Sequence, residues 1–369
     1  MGWYGTETMG DKAILDGILS VLSIFDIQSI RLGSLFPFYT ERTIYEEKNV
    51  FCEGGKGIDI KVFDLKAETE VHENVSVTNM IIFGGGPLMD LEELFLVRYA
   101  FKLASKLKIP IIVMGAGIGP LKNELYVGLV KEILQYADLV ILRDELSRVE
   151  LLNKYNNDFN AVVLPDPAII SIEEYKKKHL RSEENYRVIN LRDYMESVYS
   201  VRLINRREEW ISFIRKIAGE TEQLYFTPMH NFFIGEDDRY CLAELLAGQE
   251  IHNLHVVDKP INLHDLYRMI MNAQGCIGMR YHSVVMQTIL NGNNIIIDYT
   301  GINKGKICGF INDYDKTEIL KNRRYIVESN ESIDAEKYAQ LLSAKTNRYE
   351  YDYMNVKNKY IDVMKRVLK

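Results

Sequence analysis

The stretch Ile109-Pro110-Ile111-Ile112-Val113-Met114-Gly115-Ala116-Gly117-Ile118-Gly119-Pro120 reads as a short buried strand running into a glycine-rich turn. Its apolar half is too short for a helix and suits a strand covered on both faces, as in a parallel sheet. Amphipathic stretches with helical spacing flank it over residues 91–107 and 121–136. The alternation continues in both directions. Strands are predicted around 80–83, 109–114, 139–142 and 162–164, and again around 186–190, 223–226, 254–257, 275–278 and 294–298. Short apolar runs alternating with longer amphipathic ones are the βαβ signature. A polar, lysine-rich stretch over 172–185 separates the two series and reads as a linker. The expected fold class is therefore α/β, with two Rossmann-like domains over 1–175 and 186–330 facing a cleft. A helical tail rich in tyrosine and lysine follows over 331–369.

The chain opens with Met1-Gly2-Trp3-Tyr4-Gly5, a turn-like stretch, before a helical pattern over 13–22. An α/β domain ordinarily has a strand ahead of such a turn. Either that strand is absent or another element takes its place.

Bulk composition narrows the function classes. With 47% hydrophobic and 26% charged residues, a chain of 369 residues can bury more than one core. A net charge of −7 argues against nucleic acid as a partner, because phosphate-backbone binding needs a basic surface. An anionic small molecule stays open, since a local arginine cluster works inside an acidic protein. Cys52, Cys241, Cys276 and Cys308 form no CxxC pair, so buried or free thiols in a reducing compartment are expected. No apolar run approaches the roughly 18 residues of a membrane span and no signal peptide is recognised, so the expected location is cytoplasmic.

The chemistry gathers after the strands. Gly84-Gly85-Gly86, Gly115 to Pro120, Arg143-Asp144 and Pro165-Asp166-Pro167 follow the first series. Leu191-Arg192-Asp193, Pro228-Met229-His230, Arg280-Tyr281-His282 and Tyr299-Thr300-Gly301 follow the second. Open parallel sheets bind ligands beyond the carboxyl ends of their strands. The Gly115-x-Gly117-x-Gly119 pattern lacks the third glycine of a dinucleotide fingerprint, because Pro120 stands there, and NAD is not expected. His252 and His255 have no third ligand nearby in sequence and are not expected to hold a metal.

Arg280-Tyr281-His282 is the strongest candidate. It follows Cys276-Ile277-Gly278-Met279 and opens a short apolar helix ended by Asn291-Gly292. A helix N-terminus is a natural seat for phosphate or carboxylate. Arg280 adds a bidentate donor for the same anion, and a histidine in that first turn is placed to act as a general acid beside it. On residue type and spacing alone, an arginine and a histidine capping a helix and packing between domains explain the pair slightly better.

The ordered motifs resemble the polysaccharide pyruvyl transferase family. They are Tyr4-Gly5 through Gly10-Asp11, FGGGPLMD at 83–90, GAGIGP at 115–120, RDELS at 143–147 and PDPA at 165–168. They continue with Leu191-Arg192, Pro228, Asp237-Asp238, CIGMRYHS at 276–283, and Tyr299 with Lys306 ahead of Gly309-Phe310. The resemblance implies a GT-B-like fold and transfer of the pyruvate unit of phosphoenolpyruvate to a sugar of a cell-surface polysaccharide or its precursor. A ketal forms and phosphate leaves. It implies His282 as acid, with Arg280 beside it holding the donor. Arg143, Lys306, Gly117 and Ser283 join Arg280 as donor-binding residues, with Lys304 a rival to Lys306. Gly5, Asp11, Gly85, Gly86 and Asp90 are implied on the acceptor side, and Asp11, Asp90 and Asp166 are positional candidates for the base. No metal or cofactor is implied, phosphoenolpyruvate being a substrate. A lipid-linked acceptor would draw the protein to the membrane periphery. Thr8 departs from the family's usual asparagine and Asn294 from its common proline. The rival expectations are a GT-B glycosyltransferase using a nucleotide sugar and a non-catalytic glycan-binding protein.

Overall fold

The computed structural model describes residues 1–48, 51, 58–193, 202–232, 237–301, 305–329, 331–344 and 348–367. The chain divides into two compact units. The first comprises Met1–Glu7, Asp11–Ser171 and Met354–Lys369, and the second Thr8–Gly10 and Ile172–Tyr353.

In the first unit, β1 (Ser29–Ser34) pairs in parallel with β2 (Asp59–Asp64). A second parallel sheet runs β3 (Ile81–Gly84), β5 (Ile111–Ile118), β6 (Leu139–Leu142) and β7 (Val162–Val163), with the short β4 (Pro87–Leu88) pairing in parallel alongside the end of β5. The unbroken apolar run of β5 is buried on both faces, from Ile111 through Gly117. At Gly115, φ is +75° and the register against β6 shifts, so the strand bulges where a side chain would be strained. The N-terminal turn takes the place beside β3 that the sequence left open. The Met1 amine donates to the Ile82 carbonyl at 2.8 Å, and the Gly84 amide donates to the Met1 carbonyl at 2.8 Å. On the other side, Leu35 N–H donates to the Tyr4 carbonyl at 3.2 Å. Trp3, Phe83, Val97, Phe101, Val113 and Ile133 belong to one apolar core.

The second unit is one six-stranded parallel sheet. Its strands are β8 (Tyr186–Ile189), β9 (Gln223–Phe226), β10 (Leu254–Val256), β11 (Gly275–Gly278), β12 (Asn294–Asp298) and β13 (Arg324–Ile326). Their spatial order is β10-β9-β8-β11-β12-β13. Counted from β8 this is the 3-2-1-4-5-6 order of a Rossmann sheet, and the order reverses between β8 and β11.

β1, β2, β4 and β13 lie outside the expected strands. Arg31, Lys61 and Arg324 interrupt the apolar pattern of β1, β2 and β13, and β4 is only two residues long. The stretch over 172–185 is not a linker throughout, because a helix spans Ala168–Lys178. Ile169, Ile170, Ile172 and Tyr175 are buried while Lys177 and Lys178 are exposed, so the lysines are the solvated end of an anchored helix. The tail over 331–369 is helical, as expected. Its helix Ala335–Ser343 belongs to the second unit and its helix Val356–Val367 to the first. Among the described residues no helix is long and apolar enough to cross a membrane.

Candidate functional site

The strand order directs attention to the loops after β8 and β11, since a crevice opens where neighbouring crossovers leave a sheet in opposite directions. Asn190 follows β8, and Arg280 and His282 follow β11.

One carboxylate ties these loops together. Asp238 stands in the first turn of the helix Asp238–Leu245 and is 1% exposed. It accepts from Arg280 Nε at 2.8 Å and pairs with Nη2 at 2.6 Å. It also accepts from Asn190 Nδ2 at 3.0 Å and from the Met229 amide at 2.9 Å. Asn190 in turn accepts from the Arg280 amide at 3.2 Å and donates to the Thr227 carbonyl at 3.1 Å. The strand-end loops of β8, β9 and β11 thus share one hydrogen-bonded hub. A buried carboxylate with this many donors holds a guanidinium in one orientation. Arg280 is the N-cap of the helix Tyr281–Leu290, yet its side chain makes no capping bond.

That helix is buried almost all round, with Tyr281 and Ser283 through Leu290 all inside. His282 is its one half-buried residue. An apolar helix that brings a single ionisable side chain toward the surface spends burial elsewhere to place it. The imidazole meets the Tyr281 ring edge-on at 4.9 Å. Lys306 Nζ lies 5.9 Å from the ring centroids of both Tyr281 and Tyr299. Arg280, His282, Ser283 and Lys306 therefore all lie in the second unit. The Ser283 hydroxyl is buried and accepts from Gln287 Nε2 at 2.9 Å. Lys304 lies outside the described residues, as does Cys52.

The other expected site residues lie in the first unit. Arg143 is almost wholly buried, with Nη1 at 3.4 Å from Asp166 and Nε at 3.5 Å from Asp144. Its guanidinium covers Gly117, where a Cβ would fall 2.7 Å from Nη2. Asp166 is buried and also accepts from the Ala168 amide at 2.9 Å. Asp90 accepts from the Lys122 and Asn123 amides at 3.0 and 3.1 Å. Asp11 accepts from the Thr6 hydroxyl at 3.1 Å, and burial together with Asp11 pushes the Tyr4 phenol upward. Gly85 and Gly86 carry positive φ and lie under Ile14 and Trp3, while Gly5 backs onto the Phe36 carbonyl.

Asp238, Asn190 and Arg192 were not singled out for roles. Asp238 is 42 positions from Arg280, and no spacing rule joins them. Arg192 follows β8 as Arg280 follows β11, and its amide reaches Met279 Sδ at 3.4 Å. The strand-end position was the available signal. Cys241, Cys276 and Cys308 are buried free thiols, and burial pushes Cys241 and Cys276 up. His252 and His255 are exposed. Among the described residues no group of three or more His, Cys, Asp or Glu could hold a metal ion.

Residues 10–301 match the polysaccharide pyruvyl transferase family. The chain belongs to that family. No curated protein sequence matches it. Among solved structures, the UDP-GlcNAc 2-epimerase of Methanocaldococcus jannaschii superposes with a TM-score of 0.61 at 10% identity, covering 96% of each chain. MnaA of S. aureus, in a co-structure with UDP, gives 0.59 at 12% identity, covering 100% of this chain and 95% of the other. HepE of Anabaena, in complex with UDP-glucose, gives 0.57 at 10% identity, covering 99% and 98%. Likeness at this identity speaks for the fold, and the fold of this family member is GT-B-like, with Rossmann-like units and a helical tail.

Proposed function

We propose that this family member moves the pyruvate unit of phosphoenolpyruvate onto a sugar of a cell-surface polysaccharide or its precursor. The observation that carries the reading is the Arg280–His282 pair at the point where the sheet order reverses, its arginine locked by buried Asp238, in a chain of this family. The donor is a dianionic or trianionic enol phosphate, and a fixed guanidinium at a helix N-terminus suits such a group. His282 as imidazolium protonates the methylene carbon. A sugar hydroxyl attacks the adjacent carbon and returns a proton to the imidazole, phosphate departs, and a second hydroxyl closes the ketal, its proton leaving with the phosphate. Lys306 adds positive charge beside Tyr281 and Tyr299.

The test is phosphate release from phosphoenolpyruvate in the presence of a β-galactoside or N-acetylmannosamine acceptor. Removing a general acid costs about 10²–10⁴-fold, so His282→Ala is expected to lose that much kcat while remaining folded. Release undiminished in His282→Ala defeats the acid assignment. A wild-type protein that turns over a nucleotide sugar and leaves phosphoenolpyruvate untouched defeats the donor assignment.

A further inference from the structure

Gly10 is the second residue of the helix Met9–Leu22 and has no positive φ. A glycine within a helix weakens it relative to alanine, so backbone conformation is no reason for one here. Space is the reason. A Cβ at position 10 would fall 1.9 Å from Nδ1 of His282, 2.4 Å from its Cγ and 2.7 Å from its Cε1. Distances this far below van der Waals contact cannot be absorbed unless the imidazole moves. Gly10 and His282 belong to the same compact unit, and the short segment Thr8–Gly10 is fixed within it. Thr8 bridges antiparallel to His230, and the Met9 amide donates to the Met229 carbonyl at 2.9 Å. The Met229 amide, in turn, donates to Asp238, which holds Arg280. One loop after β9 therefore sets both members of the pair: Arg280 through Asp238, and His282 through the Thr8–Gly10 wall.

We propose that Gly10 is a positioning residue for His282, its missing side chain leaving the gap in which the imidazole is held at its working position. The kinetic consequence rests on His282 being the acid; the placement itself does not. Gly128 supplies the control, because it too is helical and a Cβ there meets no atom within 4 Å.

The experiment compares wild type, Gly10→Ala and Gly128→Ala, each labelled with [¹³Cε1]histidine, the His282 resonance being the one lost in His282→Ala. Gly10→Ala is expected to move that resonance, and a displacement of about 1 Å in a reacting group can cost roughly a hundredfold in kcat. KM for phosphoenolpyruvate should change little, and the pH profile of kcat should shift. Gly128→Ala should change none of these. A folded Gly10→Ala protein with an unmoved His282 resonance and wild-type kcat overturns the proposal. Should Gly10→Ala fold poorly, the same substitution in a His282→Ala background decides. Recovery of melting temperature there supports the contact, and an equal loss in both backgrounds overturns it. If the wild type releases no phosphate from phosphoenolpyruvate, the acid reading fails by itself, while the resonance and the stability cycle still judge the placement.

Discussion

Arg143 and Arg280 occupy equivalent places in sequence, each directly after a buried strand or one residue beyond it and each ahead of a helix. Their surroundings differ. The Arg143 side chain is 3% exposed, sits between two carboxylates at 3.4 and 3.5 Å, and lies flat over the glycine of a neighbouring strand end. The Arg280 side chain is 12% exposed and grips one buried carboxylate with Nε and Nη2. A guanidinium enclosed by loosely spaced acids stabilises the packing around it. The Arg280 guanidinium is instead gripped along its Nε–Nη2 edge by one acid that Asn190 and the Met229 amide also satisfy, which fixes its orientation. Both arginines are expected at the donor, and their different carboxylate settings make that expectation separable by substitution.

The largest expected effect comes from crossing the two. Arg143→Met leaves Asp144 and Asp166 without their shared cation, and removing one member of a buried ion pair costs about 3–5 kcal/mol. Denaturant unfolding should show that loss, with KM for phosphoenolpyruvate unchanged in the folded fraction. Arg280→Met likewise leaves the buried Asp238 without its cation and should cost stability on a comparable scale, but it adds a large fall in kcat/KM per folded molecule. A stable Arg143→Met protein with a raised KM would erase the distinction and return Arg143 to the donor site that the family resemblance implies for it.

Asp238→Asn sharpens the comparison at smaller cost. The amide keeps the shape of the hub but removes its charge and turns one acceptor into a donor facing Arg280. A hydrogen bond to a charged group is worth about 1.5–3 kcal/mol, so kcat/KM should fall by roughly ten- to a hundredfold. The measurement is kcat/KM for phosphoenolpyruvate beside a melting curve. An unchanged kcat/KM would mean that Asp238 serves the fold and does not orient Arg280 for the donor.

Much of this architecture is legible in sequence for a simple reason. A parallel strand buried on both faces carries an unbroken apolar run, and 139–142, 223–226, 275–278 and 294–298 coincide with strands β6, β9, β11 and β12. The same reasoning passes over β1 and β2, where Arg31 and Lys61 break the run and only part of each strand is buried. It also mistakes the helix through Tyr175 for a linker, since three lysines at its end outweigh the isoleucines at its start. At the site, Arg280 and His282 announce themselves because chemistry concentrates at strand ends. Asp238 does not, because a hub drawing on three loops has no local pattern. Gly10 stands inside a recognised motif, but its purpose is a void for a side chain far along the chain.

The smallest effect tests whether that kind of void exists in both units. Gly117, like Gly10, has no positive φ and lies under a polar side chain, with a Cβ there 2.7 Å from Arg143 Nη2, 2.8 Å from Nε and 2.9 Å from Cζ. Gly117→Ala must push a buried guanidinium away from Asp144 and Asp166, and overpacking of this sort costs about 1–3 kcal/mol. The loss should appear in denaturant midpoint, and it should shrink when Arg143 is already Met, since residues in contact are not additive. Phosphate release per folded molecule should hold, in contrast to Gly10→Ala, where stability and kcat both answer. If Gly117→Ala instead spares stability and weakens donor binding, the flat arginine over it is part of the donor site.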